Sequence, residues 1–208
     1  MKICGMKEPG NIRQVASLSP DYMGFIFYPR SPRYAGNLSA ADLADLPAGI
    51  RRAGVFVDLP VDELLPVCRE LGIRTVQLHG KESPAYCRTM KYGGLEVIKV
   101  FSVAPESPLP DTAAYRDSCD LFLFDTAGKG FGGTGEKFDW KRLGDFPVDK
   151  PFLLSGGIGP GDVEQILKIR HPQFYGVDLN SRFEIRPGLK NIDELEKFVD
   201  RIREAFSA

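Results

Sequence analysis

Cys4 follows Met1-Lys2-Ile3 and precedes Gly5, which places it at the end of a candidate strand. A thiol there can act as a proton-abstracting base once ionised. Its ordinary pKa of ~8.5 must then be lowered, or the thiolate stabilised on the spot. The plainer alternative is a small buried apolar filler, the usual state of a free cysteine. That alternative suits Cys68 and Cys87, which fall in helical segments, and Cys119 at a strand entry. Asp125 follows the apolar run Leu121-Phe122-Leu123-Phe124. A carboxyl beside apolar walls can have a raised pKa and keep a proton to donate. Asp178 has the same kind of position, either could instead be a cap or turn residue, and position alone does not choose between them.

Other residues could grip a ligand. Arg33 lies in Tyr28-Pro29-Arg30-Ser31-Pro32-Arg33-Tyr34, where two prolines stiffen the chain and could hold a guanidinium ready for a planar carboxylate. Arg30 competes for that role, and both could be solvated surface groups. Ser155-Gly156-Gly157-Ile158-Gly159 and Asp178-Leu179-Asn180-Ser181-Arg182 each follow a strand candidate. Glycines such as Gly156 and Gly157 let backbone amides approach an anion closely, so these two loops are candidate phosphate sites. Gln77 and His79 alternate along one strand and share a face. The stretch Gly128–Gly135 contains GxGxxG twice, but no helical pattern opens inside it, so a loop closing over a ligand fits better than a dinucleotide site.

The elements that must position these residues recur regularly. Strand candidates are 1–4, 23–27, 53–57, 75–78, 97–101, 121–124, 152–154 and 175–179, with ends spaced about 25 residues apart, as successive βα units require. The connections read as helices. Ile192, Leu195, Phe198, Val199, Ile202 and Phe206 form one apolar face, with Asn191 and Glu194 placed to cap it. Leu64, Leu65, Cys68 and Leu71 form another, and Gly159-Pro160 marks a helix start. The exception is 102–119, where Pro105, Pro108 and Pro110 leave room only for a short or irregular fifth helix. Eight such units in one domain over 1–208 favour an α/β (β/α)8 TIM barrel over an open sheet, and function is then expected at the strand C-termini.

Composition removes several function classes. The net charge of −1 provides no footprint for nucleic acid. No run reaches the ~20 apolar residues of a membrane helix, and the N-terminus lacks a signal-peptide core. Four cysteines without CxxC spacing, and only His79 and His171, supply a disulfide framework or a zinc site poorly. The expectation is a cytoplasmic protein without metal or cofactor, with no nucleic-acid or membrane partner.

Taken together, KICG (2–5), GFIFYPRSPRY (24–34), GVFV (54–57), VQLHG (76–80), Asp125-Thr126, GGTGEKFDW (132–140), LSGGI (154–158) and GVDLNS (176–181) resemble the phosphoribosylanthranilate isomerase family in order along essentially the whole chain. The resemblance implies a compact barrel of tryptophan biosynthesis that performs an Amadori rearrangement on a phosphorylated small molecule, as a monomer or homodimer. It implies Asp125 as general acid, Cys4 as general base, Arg33 on the substrate carboxylate and Gly156, Gly157, Asn180 and Ser181 on the phosphate. Gln77, His79 and Asp178 would support them. Arg182 departs from the family's glycine in the strand-eight turn; it would either reach the phosphate or point away. A related aldose–ketose isomerase of histidine biosynthesis would carry aspartates at strand ends one and five, where this chain has Cys4 and Phe101. A phosphate-ligand sensor would need neither Cys4 nor Asp125, and a thiol redox protein would need a resolving cysteine.

Overall fold

A computed structural model describes residues 1–104, 106–126, 137–144 and 146–207. Eight parallel strands close into a barrel: β1 (Lys2–Ile3), β2 (Tyr22–Ile26), β3 (Arg51–Phe56), β4 (Thr75–Leu78), β5 (Glu96–Val103), β6 (Leu121–Thr126), β7 (Phe152–Leu154) and β8 (Phe174–Leu179). All eight expected strands are present, shifted by a few residues at their ends. Closure pairs β1 with β8 in the register Lys2↔Asp178 and Ile3↔Leu179, and the Cys4 amide continues it by donating to the Leu179 carbonyl at 2.9 Å.

The helices are α1 (Pro9–Ser17), α2 (Val61–Glu70), α3 (Pro84–Tyr92), α4 (Val163–Ile166) and α5 (Ile192–Ser207). Their starts follow local chemistry. Ser83 Oγ accepts from the Tyr86 amide ahead of α3, Pro84 needs no amide partner in the first turn, and Asn191 Oδ1 accepts from the Glu194 amide at the head of α5. The expected short fifth helix is a single 3-10 turn, Ala113–Tyr115. Two connections expected to be helical are also corrected: among the described residues, β2–β3 carries the 3-10 turn Ala40–Leu43 and β6–β7 the turn Trp140–Leu143. Pro29, Pro32, Pro47, Gly36 and Gly49 break the first of these into pieces too short to propagate a helix. Among the described residues no helix is long and apolar enough to cross a membrane.

The core has two shells, as strand alternation requires. Ala53, Ile98, Val100, Leu121, Leu123 and Leu153 form a compact cluster of their own, while a larger cluster lies between the sheet and its cover. Glu96 closes the N-terminal end by accepting from Tyr22 Oη (2.8 Å), Thr75 Oγ1 (2.7 Å) and Arg51 (3.1 Å). At the other end, buried Lys99 donates to Glu82 (2.7 Å) and to the carbonyls of Gly80 (2.7 Å) and Leu78 (3.2 Å), while Glu82 accepts from the Asp58 and Gly80 amides. This cluster ties the exits of β3 and β4 together beside His79. Lys99→Met strands the Glu82 charge without its cation and should cost roughly 3–5 kcal/mol of stability, read by urea denaturation; a loss below about 1 kcal/mol would show that water replaces the pair.

After β8 the chain makes an antiparallel hairpin, β9 (Glu184–Arg186) and β10 (Leu189–Lys190). Asn11 of α1 anchors it by accepting from the Lys190 amide (2.7 Å) and donating to the Lys190 carbonyl (3.1 Å).

Candidate active site

A cleft continuous with solvent opens at the C-terminal ends of the strands. Cys4, Arg33, Gln77, His79, Asp125, Gly156, Gly157, Asp178, Asn180 and Ser181 all line it. Arg30 is exposed and lies outside the lining. The Gly128–Gly135 stretch lies outside the described residues.

Cys4 is 3% exposed and shares the inner face of its strand with Lys2. Lys2 is fully buried; its Nζ donates to Asp178 Oδ2 at 2.8 Å and shares with the Cys4 sulfur the space left open by Gly24. The facing residue on β2 must be glycine: a Cβ at Gly24 would stand 2.7 Å from Cys4 Sγ and 3.1 Å from Lys2 Nζ. Burial pushes the Cys4 thiol up, and Lys2 opposes that push. Burial also pushes the Asp178 carboxyl up, against the pull of Lys2. Burial disfavours the Lys2 ammonium, but Asp178 and Cys4 outweigh it and hold the group above its ordinary range.

Asp125 ends the inward-facing run Leu121, Leu123, Asp125 and is 18% exposed. His79 Nε2 stands 3.4 Å from Asp125 Oδ2, an ion pair when the imidazole is protonated. The backbone of His79 is fixed by its amide bond to the Phe56 carbonyl (2.9 Å). Asp178 Oδ1 and Gln77 Oε1 are buried acceptors with no hydrogen-bond partner among the described residues, and both residues line the cavity.

The two loops expected to hold phosphate meet at the rim. Gly156 (φ +94°) and Gly157 (φ +70°) take left-handed backbone that a side chain would strain, and a Cβ at Gly156 would fall 2.4 Å from the Thr126 amide nitrogen. Asp162 braces this loop by accepting from the Gly159 amide (2.6 Å) and pairing with Lys137. Arg182 is exposed, its stem lies against Gly159, and it does not line the cavity.

Sequence reasoning missed a second group of residues at this rim. Glu184 takes Arg33 in a fork, with Nε donating at 2.9 and 3.0 Å and one terminal nitrogen at 2.7 Å. Glu184 also accepts from Lys190 Nζ (2.8 Å), which donates in turn to Asn180 Oδ1 (2.8 Å). Burial alone would raise the Glu184 carboxyl, but Arg33 and Lys190 hold it below its usual range. Burial pulls the Lys190 ammonium down against the support of Glu184. Arg33 therefore offers a ligand only the edge that Glu184 leaves open. One signal for Lys190 and Glu184 was available: two charged residues close after a candidate phosphate loop.

The family model for N-(5'phosphoribosyl)anthranilate (PRA) isomerase matches residues 1–201. The chain belongs to the N-(5'-phosphoribosyl)anthranilate isomerase family. It is 44% identical to the N-(5'-phosphoribosyl)anthranilate isomerase of Phocaeicola vulgatus, over 98% of both chains. Among solved structures, it resembles the phosphoribosyl anthranilate isomerase of Thermotoga maritima with a TM-score of 0.85 and 31% identity, covering 98% of each chain. A further isomerase structure, a complex with reduced 1-(o-carboxyphenylamino)-1-deoxyribulose 5-phosphate, superposes with a TM-score of 0.74 and 28% identity, covering 98% of this chain and 97% of that one. Those isomerases share this barrel from end to end, so the mouth described above is the part of the fold from which their common chemistry must be read.

Proposed function

We propose that this chain converts N-(5'-phosphoribosyl)anthranilate into 1-(o-carboxyphenylamino)-1-deoxyribulose 5-phosphate, with Asp125 as general acid and Cys4 as general base. The observation that carries the reading is the meeting, in one cavity, of a β1 thiol, a β6 carboxyl and two glycine-bearing anion loops. Protonated Asp125 gives its proton to the furanose ring oxygen. The C1'–O bond breaks, and the nitrogen lone pair completes an iminium. The Cys4 thiolate then takes the C2' proton; that electron pair forms C1'=C2', and the iminium pair returns to nitrogen. Tautomerisation of the resulting enolamine moves the hydroxyl proton off oxygen and adds one at C1', which leaves the ketone. The sequence is redox-neutral, and the imine itself acidifies C2'–H, so the protein's part is proton placement and binding.

Binding is shared among the remaining residues. Gly156, Gly157, Asn180 and Ser181 take the phosphate, a handle remote from the bonds that change. The open edge of Arg33 takes the anthranilate carboxylate. The sugar hydroxyls supply donors to Asp178 Oδ1 and Gln77 Oε1, which otherwise each bear a desolvation cost of about 1–3 kcal/mol. The aspartate-pair isomerase is disfavoured, because Phe101 packs edge-on against Tyr115 and Phe122 and lies outside the cavity lining.

The direct test is a continuous fluorescence assay with freshly generated phosphoribosylanthranilate; decay no faster than the spontaneous background with wild-type protein would remove the proposal. Arg33→Ala should raise KM about tenfold or more while changing kcat less, since it removes a charge-assisted contact worth about 1.5–3 kcal/mol. Its loss also takes one of two cations from Glu184, which keeps Lys190; Glu184→Gln, which keeps Arg33 but loosens its aim, should raise KM by a smaller factor. An Arg33→Ala enzyme with unchanged KM would move the carboxylate site elsewhere.

A further inference from the structure

Among the described residues, Lys2 is a charged group of the barrel interior that the reaction scheme leaves unused. Lys2 is fully buried, and its ion pair with Asp178 sits among inward-facing positions filled elsewhere by Ala53, Ile98 and Leu123. A buried ion pair rarely stabilises a fold more than well-packed apolar side chains would, so stability alone explains its presence poorly. Its placement offers a better account. Lys2 and Cys4 are two residues apart on one strand and so point the same way. The space vacated by the missing Cβ of Gly24 is bounded by Cys4 Sγ at 2.7 Å and by Lys2 Nζ at 3.1 Å.

We propose that Lys2 is a positioning residue for the base: its ammonium, anchored by Asp178, faces the Cys4 sulfur across the space left by Gly24 and stabilises its thiolate at the moment C2' is deprotonated. The inference rests on the reading of Cys4 as the base. Among the described residues, charged groups that bear on the sulfur, directly or through Asp178, lie on β1, β6, β8 and β10. Lys2 of β1 faces the sulfur across the space left by Gly24. Asp178 of β8 opposes the thiolate by its own charge but orients Lys2. Lys190 of β10 adds positive field but is committed to Glu184 and Asn180. Asp125 of β6 acts on Asp178, and its nearest cation is His79 when that ring is protonated. Of the two cations, Lys2 bears on the sulfur more strongly, and its ammonium borders the same Gly24 space as the sulfur.

The test measures the thiol without needing turnover. Site-resolved mass spectrometry follows iodoacetamide alkylation of Cys4 as a function of pH in the native enzyme. Lys2→Met is expected to move the midpoint up by about one pH unit or more, which is about tenfold less thiolate near neutrality. The rising limb of kcat against pH should move with it, while KM stays near the wild-type value. If Lys2→Met does not fold, the double variant Lys2→Met/Asp178→Asn removes both charges together and leaves no lone buried carboxylate. Its midpoint should also lie above the wild-type value, because the cation bears on Cys4 more strongly than the carboxylate does. A folded variant of either kind with the wild-type Cys4 midpoint would overturn the proposal. A wild-type enzyme that fails to consume phosphoribosylanthranilate would instead overturn the base assignment, and the alkylation midpoints would still report whether Lys2 and Cys4 are coupled.

Discussion

Cys4→Ala is expected to lower kcat by about 10²–10⁴-fold, the usual worth of a positioned acid or base, with KM changed little. The thiol lies between a buried ammonium and the cavity, where another base would have to take its place. Asp178 is the nearest alternative, but its Oδ2 is committed to Lys2. Truncation removes a single sulfur from a site that Gly24 has already hollowed out, so the fold should lose little and the binding loops should be undisturbed. The split between kcat and KM is therefore the diagnostic, measured by steady-state fluorescence and confirmed by single turnover. Cys4→Ser should remain close to the alanine variant, because an alkoxide is far harder to form than a thiolate. A Cys4→Ala enzyme within a few-fold of wild type would assign the C2' proton to another group. Because burial holds the thiol above its ordinary pKa, the base is the minority form at neutral pH. Activity limited by this step should then rise with pH as thiolate accumulates.

Asp125→Asn should lower kcat by a comparable factor. The substitution preserves shape and removes the transferable proton, so ring opening loses its acid while the cavity keeps its form. His79 Nε2 stands 3.4 Å from Asp125 Oδ2 and is placed to orient the carboxyl. The competing assignment is testable with the same assay. Asp178 is the more buried carboxyl, 5% exposed against 18%, and burial raises its pKa. If Asp178→Asn abolished turnover and Asp125→Asn did not, the acid would be Asp178. Its bond to Lys2 argues for the opposite result, since a carboxylate pinned to an ammonium is a poor proton donor.

How far the sequence could be read depended on the range of the interactions involved. The strand count and spacing were legible because each strand is a short β-branched or aromatic run, a local signal. The ends of β4 and β7 fell where the runs ended. The β2–β3 connection reads as helical in sequence, because an apolar residue every few positions also suits a chain that makes one 3-10 turn and returns to the sheet; the described residues of β6–β7 likewise carry a 3-10 turn in place of a helix. Arg33 could be preferred over Arg30 only through family resemblance. In the fold, the turn that places Arg33 at the mouth points Arg30 into solvent.

Local pattern and motif were sufficient to determine an eight-stranded barrel, to place Cys4 and Asp125 at strand ends and to mark the glycine loops after β7 and β8. The partners of those residues were decided only in three dimensions. Lys2 meets Asp178 because barrel closure aligns β1 with β8 across 176 residues of chain, and Arg33 meets Glu184 across 151. No local period encodes such pairs. Their energies exist only where closure has removed water, since the same charges on an open chain would be solvated and nearly indifferent to one another. The residue types available for chemistry were therefore written along the chain, whereas the electrical setting in which a thiol can serve as a base arises from burial and from strands brought together at the seam.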